Sequence, residues 1–301
     1  MILARTDRGV RFVTQPDHAA LAGRLAELWG GETFDFPEPT AAVRLAVHAH
    51  DDGWRPYDRR PRLDPDGSPR AFHELPPDEW LRLYRRGIDE VARADRYAGL
   101  LVSMHGAGLR RRRYGLSPSW GETPSAFRSF VETEQQRQRS LATAIRDDPD
   151  DCRLAERDAD LLERLHEAGR APAGVRAGGP EPAPTTPAAA DAADPRLWRN
   201  YRLLVGLDVL SLRLCSTADA EAPVVVEPVP TTPDAPDATL TATPVEPETY
   251  ELSPYPFRES PATVRVPART VDLDGVTAES TLVDRFYEAD TEALSIALRP
   301  A

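Results

Sequence analysis

Three of the six histidines interrupt apolar helical stripes, and one belongs to a dense donor group, Leu45-Ala-Val-His-Ala-His-Asp-Asp-Gly-Trp54. There an apolar run ends in His50 and Asp51, a nitrogen and an oxygen donor that can grip one divalent cation without rearranging the chain. His18 heads the stripe Leu21, Leu25, Leu28. His105 ends the stripe Ala98, Leu101, and Asp208 sits among Leu204, Ser211 and Cys215 on a third. A carboxylate in such a stripe is costly unless paired or metal-bound. Neutral imidazoles with carboxylates suit Mn, Fe, Ni or Zn, one ion or two, better than Ca, which prefers oxygen shells. A metal so held lowers the pKa of its water and polarises a phosphoryl oxygen, with Asp52 or Asp58 placed to orient the water. Arg110, Arg111, Arg112 and Arg113 form the dense basic run and can hold phosphate oxygens by bidentate contacts, with Trp54 beside the site. The plain alternatives are a helix C-terminal His50 favoured by the dipole, a His18 near its helix cap and a core His105 bonded to a carbonyl. His73 and His166 read as surface residues, and His48 as surface or supporting.

The elements that must carry these donors follow from pattern. Residues 2–14 alternate around Asp7-Arg8-Gly9, which predicts a hairpin. Pro16 and Asp17 open a helix to about Trp29, stopped by Gly30-Gly31. Thr40 caps a second helix that ends at His50-Asp51, and residues 53–77 predict a long loop holding Trp54, Asp58 and His73. Trp80, Tyr84, Ile88 and Val91 give a stripe on the next helix, and 97–105 a mostly apolar one stopped by Gly106 and Gly108. Residues 123–145 and 152–168 predict scaffold helices. Residues 169–195, rich in Ala, Pro, Gly and Thr, predict a flexible insertion. A helix resumes at Pro195. Strands are expected near 224–227, 239–243, 250–252 and 263–271, and a last helix over about 281–298.

Composition limits the class. The 301 residues are 41% apolar, enough for a sizeable core. There is no lysine, and 37 arginines face 49 acidic residues for a net charge of -12. That surface resembles a halophile's cytoplasmic protein, although GC-rich coding also favours Ala, Arg and Pro. It argues against general nucleic-acid binding. Cys152 and Cys215 are too few for a disulfide framework or a cysteine zinc site, so free thiols in a reducing compartment are expected. The N-terminal residues lack the order of a signal peptide and no window approaches a membrane span, which predicts a cytoplasmic protein without membrane contact.

In the order His18, His50-Asp51, Asp208, with His105 between, the donors resemble those of the HD superfamily of metal-dependent phosphohydrolases. The chain also resembles an uncharacterised prokaryotic family of unknown function through Gln15-Pro-Asp-His18, His50-Asp-Asp-Gly-Trp54, Leu101-Val-Ser-Met-His105 and Asp208-Val-Leu-Ser-Leu212. The HD resemblance implies that His18, His50, Asp51 and Asp208 are ligands and that His105 serves a second ion. It also implies a phosphoester or phosphoanhydride in a small molecule as substrate. Gly53-Trp54 stands where signalling phosphodiesterases of that superfamily often carry Gly-Lys, which argues against a cyclic dinucleotide. The alternatives are an HD-type di-iron oxygenase and a catalytically silent metal- or ligand-binding module. The expected fold is mainly α: an HD-like helical domain over about 15–218, with a small β-rich appendage. That appendage joins the hairpin of residues 1–14 to the strands and terminal helix of 219–301, and covers a helix face or supports a homodimer.

Overall fold

The computed structural model describes residues 1–117, 124–171, 194–216, 222–233 and 235–301. Helices α1 (Gln15–Leu28), α2 (Thr40–Ala49), α3 (Arg55–Asp58), α4 (Pro77–Ala94) and α5 (Arg96–Leu109) come first. They are followed by α6 (Arg128–Arg146), α7 (Glu156–Ala168), α8 (Arg196–Cys215) and α9 (Glu279–Glu288). The strands are β1 (Ile2–Thr6), β2 (Gly9–Val13), β3 (Val224–Val229), β4 (Ala238–Glu246), β5 (Thr249–Ser253), β6 (Ala262–Val271) and β7 (Glu292–Pro300).

The expectation of a mainly α, HD-like domain with a small appendage is overturned. About 51% of the described residues are helical and 20% are strand, and the strands form one curled, mixed half-barrel sheet. Its order is β1-β2-β6-β7-β5-β4-β3, with β5 and β7 parallel and the other neighbours antiparallel. The sheet shares the core with the helices: Val226, Leu240, Leu252, Val264 and Ile296 belong to the same buried cluster as Leu21, Leu25, Leu204 and Leu207. Helix α8 is buried almost all round because β1 and β3 pack on it together with α1, α2, α5 and α7.

One strand explains the misreading best. Glu292-Ala-Leu-Ser-Ile-Ala-Leu-Arg-Pro300 was expected to extend the last helix, because Ala and Leu are strong helix formers. In the structure Ile296 and Leu298 are buried with Ala297 between them less so, a period of two, and the strand lies between β6 and β5. Tertiary pairing overrides local propensity there. The insertion expected at 169–195 falls mostly outside the described residues, at 172–193; of its ends, Gly169 closes α7 in a left-handed conformation with φ 68°.

Two glycines expected as a helix stop do something else. Helix α5 runs through Gly106 and Gly108 to Leu109, and a Cβ on Gly108 would lie 2.1 Å from the Tyr201 hydroxyl oxygen. That glycine lets α5 and α8 approach.

His166, expected on the surface, is buried. Its Nε2–H donates to Gln138 Oε1 at 2.7 Å, Gln138 Nε2 donates to Ser103 Oγ at 3.1 Å, and Ser103 Oγ donates to Glu134 Oε2 at 2.9 Å. Burial, reinforced by Arg139 and Arg111, pushes its pKa down from 6.5 to about 4. The unfolded chain then binds a proton that the folded chain refuses, so this contribution to stability is complete above pH 6.5 and lost as the pH falls towards 4. Denaturant unfolding across that window should show a stability loss on acidification that His166→Gln reduces; identical pH slopes in the two proteins would contradict it.

Candidate metal centre

Each donor reaches the cluster from a different element. Thr14 caps α1 by accepting from Asp17 N–H, Pro16 fits the first turn, and His18 follows in that turn facing inward. His50 stands at the C-terminal end of α2 in helical conformation, and Asp51 turns the chain into a short 3-10 turn, Asp52–Trp54. His105 comes from α5 and Asp208 from the middle of α8. Mutual packing of α1 with α2 and α8, and of α5 with α2 and α8, brings these segments together.

Gly53 sets the approach of α4. A Cβ there would lie 2.1 Å from the Leu83 carbonyl oxygen and 2.9 Å from the Gly87 nitrogen. Helix α4 therefore packs directly on the doublet's turn, and its Tyr84 lies near the Asp51 carboxylate, whose charge adds to burial in pushing the phenol's pKa up. Gly53→Ala should cost about 1–3 kcal/mol by overpacking, read as a lower denaturant midpoint at unchanged slope; wild-type stability would show that the backbones separate freely.

The donor geometry is specific. His18 Nδ1–H donates to the Gln15 carbonyl at 2.6 Å and His50 Nδ1–H to the Val47 carbonyl at 2.8 Å, so both rings direct Nε2 into the cluster. Asp208 Oδ1 lies 3.4 Å from each Nε2, and Asp51 Oδ2 lies 3.9 Å from each. Donors about 2.1 Å from a common ion stand roughly 3.0 Å apart at a right angle and roughly 3.4 Å at the tetrahedral angle. His18, His50 and Asp208 form one group with donor atoms within 4.8 Å of one another, and His50, Asp51 and His105 form another. His50 Nε2, Asp51 Oδ1 and His105 Nδ1 are buried with no hydrogen-bond partner among the described residues. Orphaned donors and acceptors of this kind fit a cation.

In the ion-free protein the charges settle among themselves. Burial opposes charging His50, but the Asp51 and Asp208 carboxylates outweigh it and hold its pKa at about 9. Burial pushes the Asp51 carboxyl up against the nearby imidazoles. Burial would raise Asp208 too, yet the His18 and His50 contacts, with His105 and Arg113, hold it well below the usual carboxylate range. Burial drives His105 down to about 3, so it is a neutral ring.

The structure separates the arginine run. Arg112, Arg113 and Tyr114 have φ of 50°, 48° and 55°, a left-handed turn that costs non-glycine residues of order 1 kcal/mol or more each. The turn sends Arg113 inward, 1% exposed, where Nη2 donates to Asp208 Oδ2 at 3.0 Å. Arg111 Nη1 donates to the His166 carbonyl, and Arg112 is exposed. Arg110 lies over Trp80 and Phe127, 4.0 Å and 3.7 Å from the ring centroids. A cavity of about 490 Å³ opens on Asp51, His105 and Asp208, with Trp54, Arg110 and the exposed His73 also in its wall.

The carboxylates expected to orient water are engaged elsewhere. Asp52 pairs with Arg55 at 2.6 Å, and the buried Asp58 accepts from the Met1 ammonium at 3.1 Å and Gln15 N–H at 2.6 Å. Asp58 thus anchors the start of α1. Sequence reasoning missed the pairing of Arg113 with Asp208, the nearness of Tyr84 to Asp51 and the side chain of Gln15. Of these only Gln15 left a trace, as the first residue of the Gln15–His18 motif.

No curated protein and no solved structure matches the chain. The model of the family described as "Protein of unknown function (DUF3891)" matches residues 1–165 and 185–273, and the chain belongs to that family.

Proposed function

We propose that the chain is a metal-dependent phosphohydrolase acting on a phosphoester or phosphoanhydride of a small molecule. The observation that carries this reading is the convergence of His18 Nε2 and His50 Nε2, both oriented by backbone carbonyls, on Asp51 and Asp208, two carboxylates that line a cavity. The donor order resembles that of the HD superfamily; only the donor set and its chemistry are carried over, not the HD fold. When bound, a Mn, Fe, Ni or Zn ion supplies Lewis acidity and a nucleophilic water of lowered pKa. The chain's own part is to fix the donors, to hold Asp208 ionised through Arg113, and to present Arg110 to substrate anion from between two aromatic rings. His50 has one nitrogen to give, its Nδ1 being bound to Val47, so the two donor groups are not independent sites. A second ion would draw on Asp51 and His105.

Metal quantification on protein purified without chelator, followed by a phosphoester panel, tests the proposal. The expected result is at least one bound transition ion per chain and metal-dependent phosphate release. The second donor group, with His105, also fits a di-iron oxygenase, which two irons with an oxo or mixed-valent signature would favour. Failure to take up metal under any loading condition would leave a silent ligand-binding module.

A further inference from the structure

We propose that Gln15 and Trp54 form a neutral hydrogen-bonding shelf that receives the non-bridging oxygens of a phosphoryl group beside the His18, His50, Asp51 and Asp208 cluster; this rests on the hydrolase reading. Gln15 is 1% exposed and held through its main chain on both sides, its N–H donating to Asp58 Oδ2 and its carbonyl accepting from His18 Nδ1–H. Its side chain is the part left over. Neither the carboxamide oxygen nor the nitrogen has a hydrogen-bond partner among the described residues. Trp54 is 2% exposed, and its indole Nε1–H is likewise unpartnered among them. Both residues line the cavity that opens on Asp51, His105 and Asp208.

Buried polar groups go unpaired rarely, because each forfeits its bonds to water. Two such residues in one cavity wall point to something that enters the cavity and accepts from their N–H groups. Their chemistry narrows what that is. An indole N–H only donates, and a carboxamide nitrogen offers two more donors. Arg110, fixed between Trp80 and Phe127, adds positive charge to the same wall. Trp80 is already engaged, with Tyr84 stacked on it at a centroid distance of 4.0 Å and 25° and Arg110 lying 4.0 Å over it. Several donors and a fixed cation suit a compact anion with many acceptor oxygens. The phosphoryl group is that anion, and its distance from water in this wall strengthens each bond.

Inorganic phosphate is the probe. It is titrated calorimetrically into Mn-loaded wild type, Gln15→Leu and Trp54→Phe, and for each protein Mn affinity and ion-free melting are measured as well. Loss of a hydrogen bond to a charged ligand should weaken phosphate binding by about 10- to 100-fold in each variant. Mn affinity should stay at the wild-type value, and ion-free Gln15→Leu should melt no lower than wild type, because an orphaned carboxamide is exchanged for an apolar group of similar size. Unchanged phosphate affinity in both variants overturns the inference, as does a lower ion-free melting temperature in both, which would assign the two residues to packing. Weakened Mn binding in Gln15→Leu also overturns it by assigning Gln15 to the ion. Wild type that takes up Mn but no phosphate removes the shelf and leaves the metal reading standing; wild type that takes up no Mn removes both.

Discussion

His50→Ala should abolish divalent-metal binding while leaving the helical fold in place. His50 contributes the one nitrogen common to both donor groups, so no arrangement of the remaining residues replaces it. It also stands at the end of α2, not in its middle, and Val43, Ala46 and Val47 keep that helix packed without it. An ion at 100 times its dissociation constant stabilises the folded state by about 2.7 kcal/mol. Wild type should show that gain on Mn loading, and His50→Ala and Asp51→Ala should show none of it at the same concentration. Since changes outside the direct ligands alone cost metal sites about 10- to 100-fold in affinity, loss of a ligand should exceed that range. The exposed His48, two residues away, is the control: His48→Ala should keep the full metal-dependent shift. Paired melting curves with Mn and with chelator decide it, and a His50→Ala protein that still gains stability from Mn would place the ion elsewhere.

How much of this was legible in the sequence differs between the donors and the frame. A polar donor that breaks an apolar stripe is visible in one dimension, because helical spacing alone puts His18, Asp208 and their apolar neighbours on common faces. Each of His18, His50, Asp51, His105 and Asp208 was therefore readable as a candidate donor, while their grouping into one cluster was what the HD resemblance implied. The sheet was not, because its pairings are remote: Val10 is opposite Val271 and Thr249 opposite Ala297, and no local pattern states who pairs with whom. Strand β7 carried a misleading signal besides, since its Ala and Leu favour helix in isolation. The roles within Arg110–Arg113 were hidden for a different reason. Which way each guanidinium points depends on three successive left-handed residues, and composition does not announce such a turn where the strained residues are Arg112, Arg113 and Tyr114 instead of glycine. Asp58 read as a free acid in a polar loop, but its partners, the Met1 ammonium and the Gln15 N–H, are far away in the chain.

Asp208→Ala should be the most destabilising change in the cluster, in the absence of metal as well as in its presence. A lone carboxylate on a leucine-rich stripe would make the opposite expectation reasonable, since removing an unpaired buried charge stabilises the apo state. Asp208 is not unpaired, however. Its Oδ2 accepts from Arg113, which is 1% exposed, and its Oδ1 faces His18 and His50. Truncating it deprives a buried guanidinium of its Asp208 partner, a loss of about 3–5 kcal/mol when one partner of a buried ion pair is removed. Replacing both partners by apolar residues removes both desolvation costs together, so Asp208→Leu with Arg113→Met should recover most of the ion-free stability while failing to bind metal. Arg113→Met alone separates the two roles. Without an ion it leaves Asp208 with only the imidazoles for company and lowers stability, whereas a bound divalent cation supplies the missing positive charge and should restore much of it. Denaturant unfolding of wild type, Asp208→Leu, Arg113→Met and the double variant, in chelator and in Mn, gives the coupling directly. A coupling energy near zero in chelator would show that Arg113 and Asp208 are held apart by solvent, and an Arg113→Met protein that Mn does not rescue would show that the cation does not sit against Asp208.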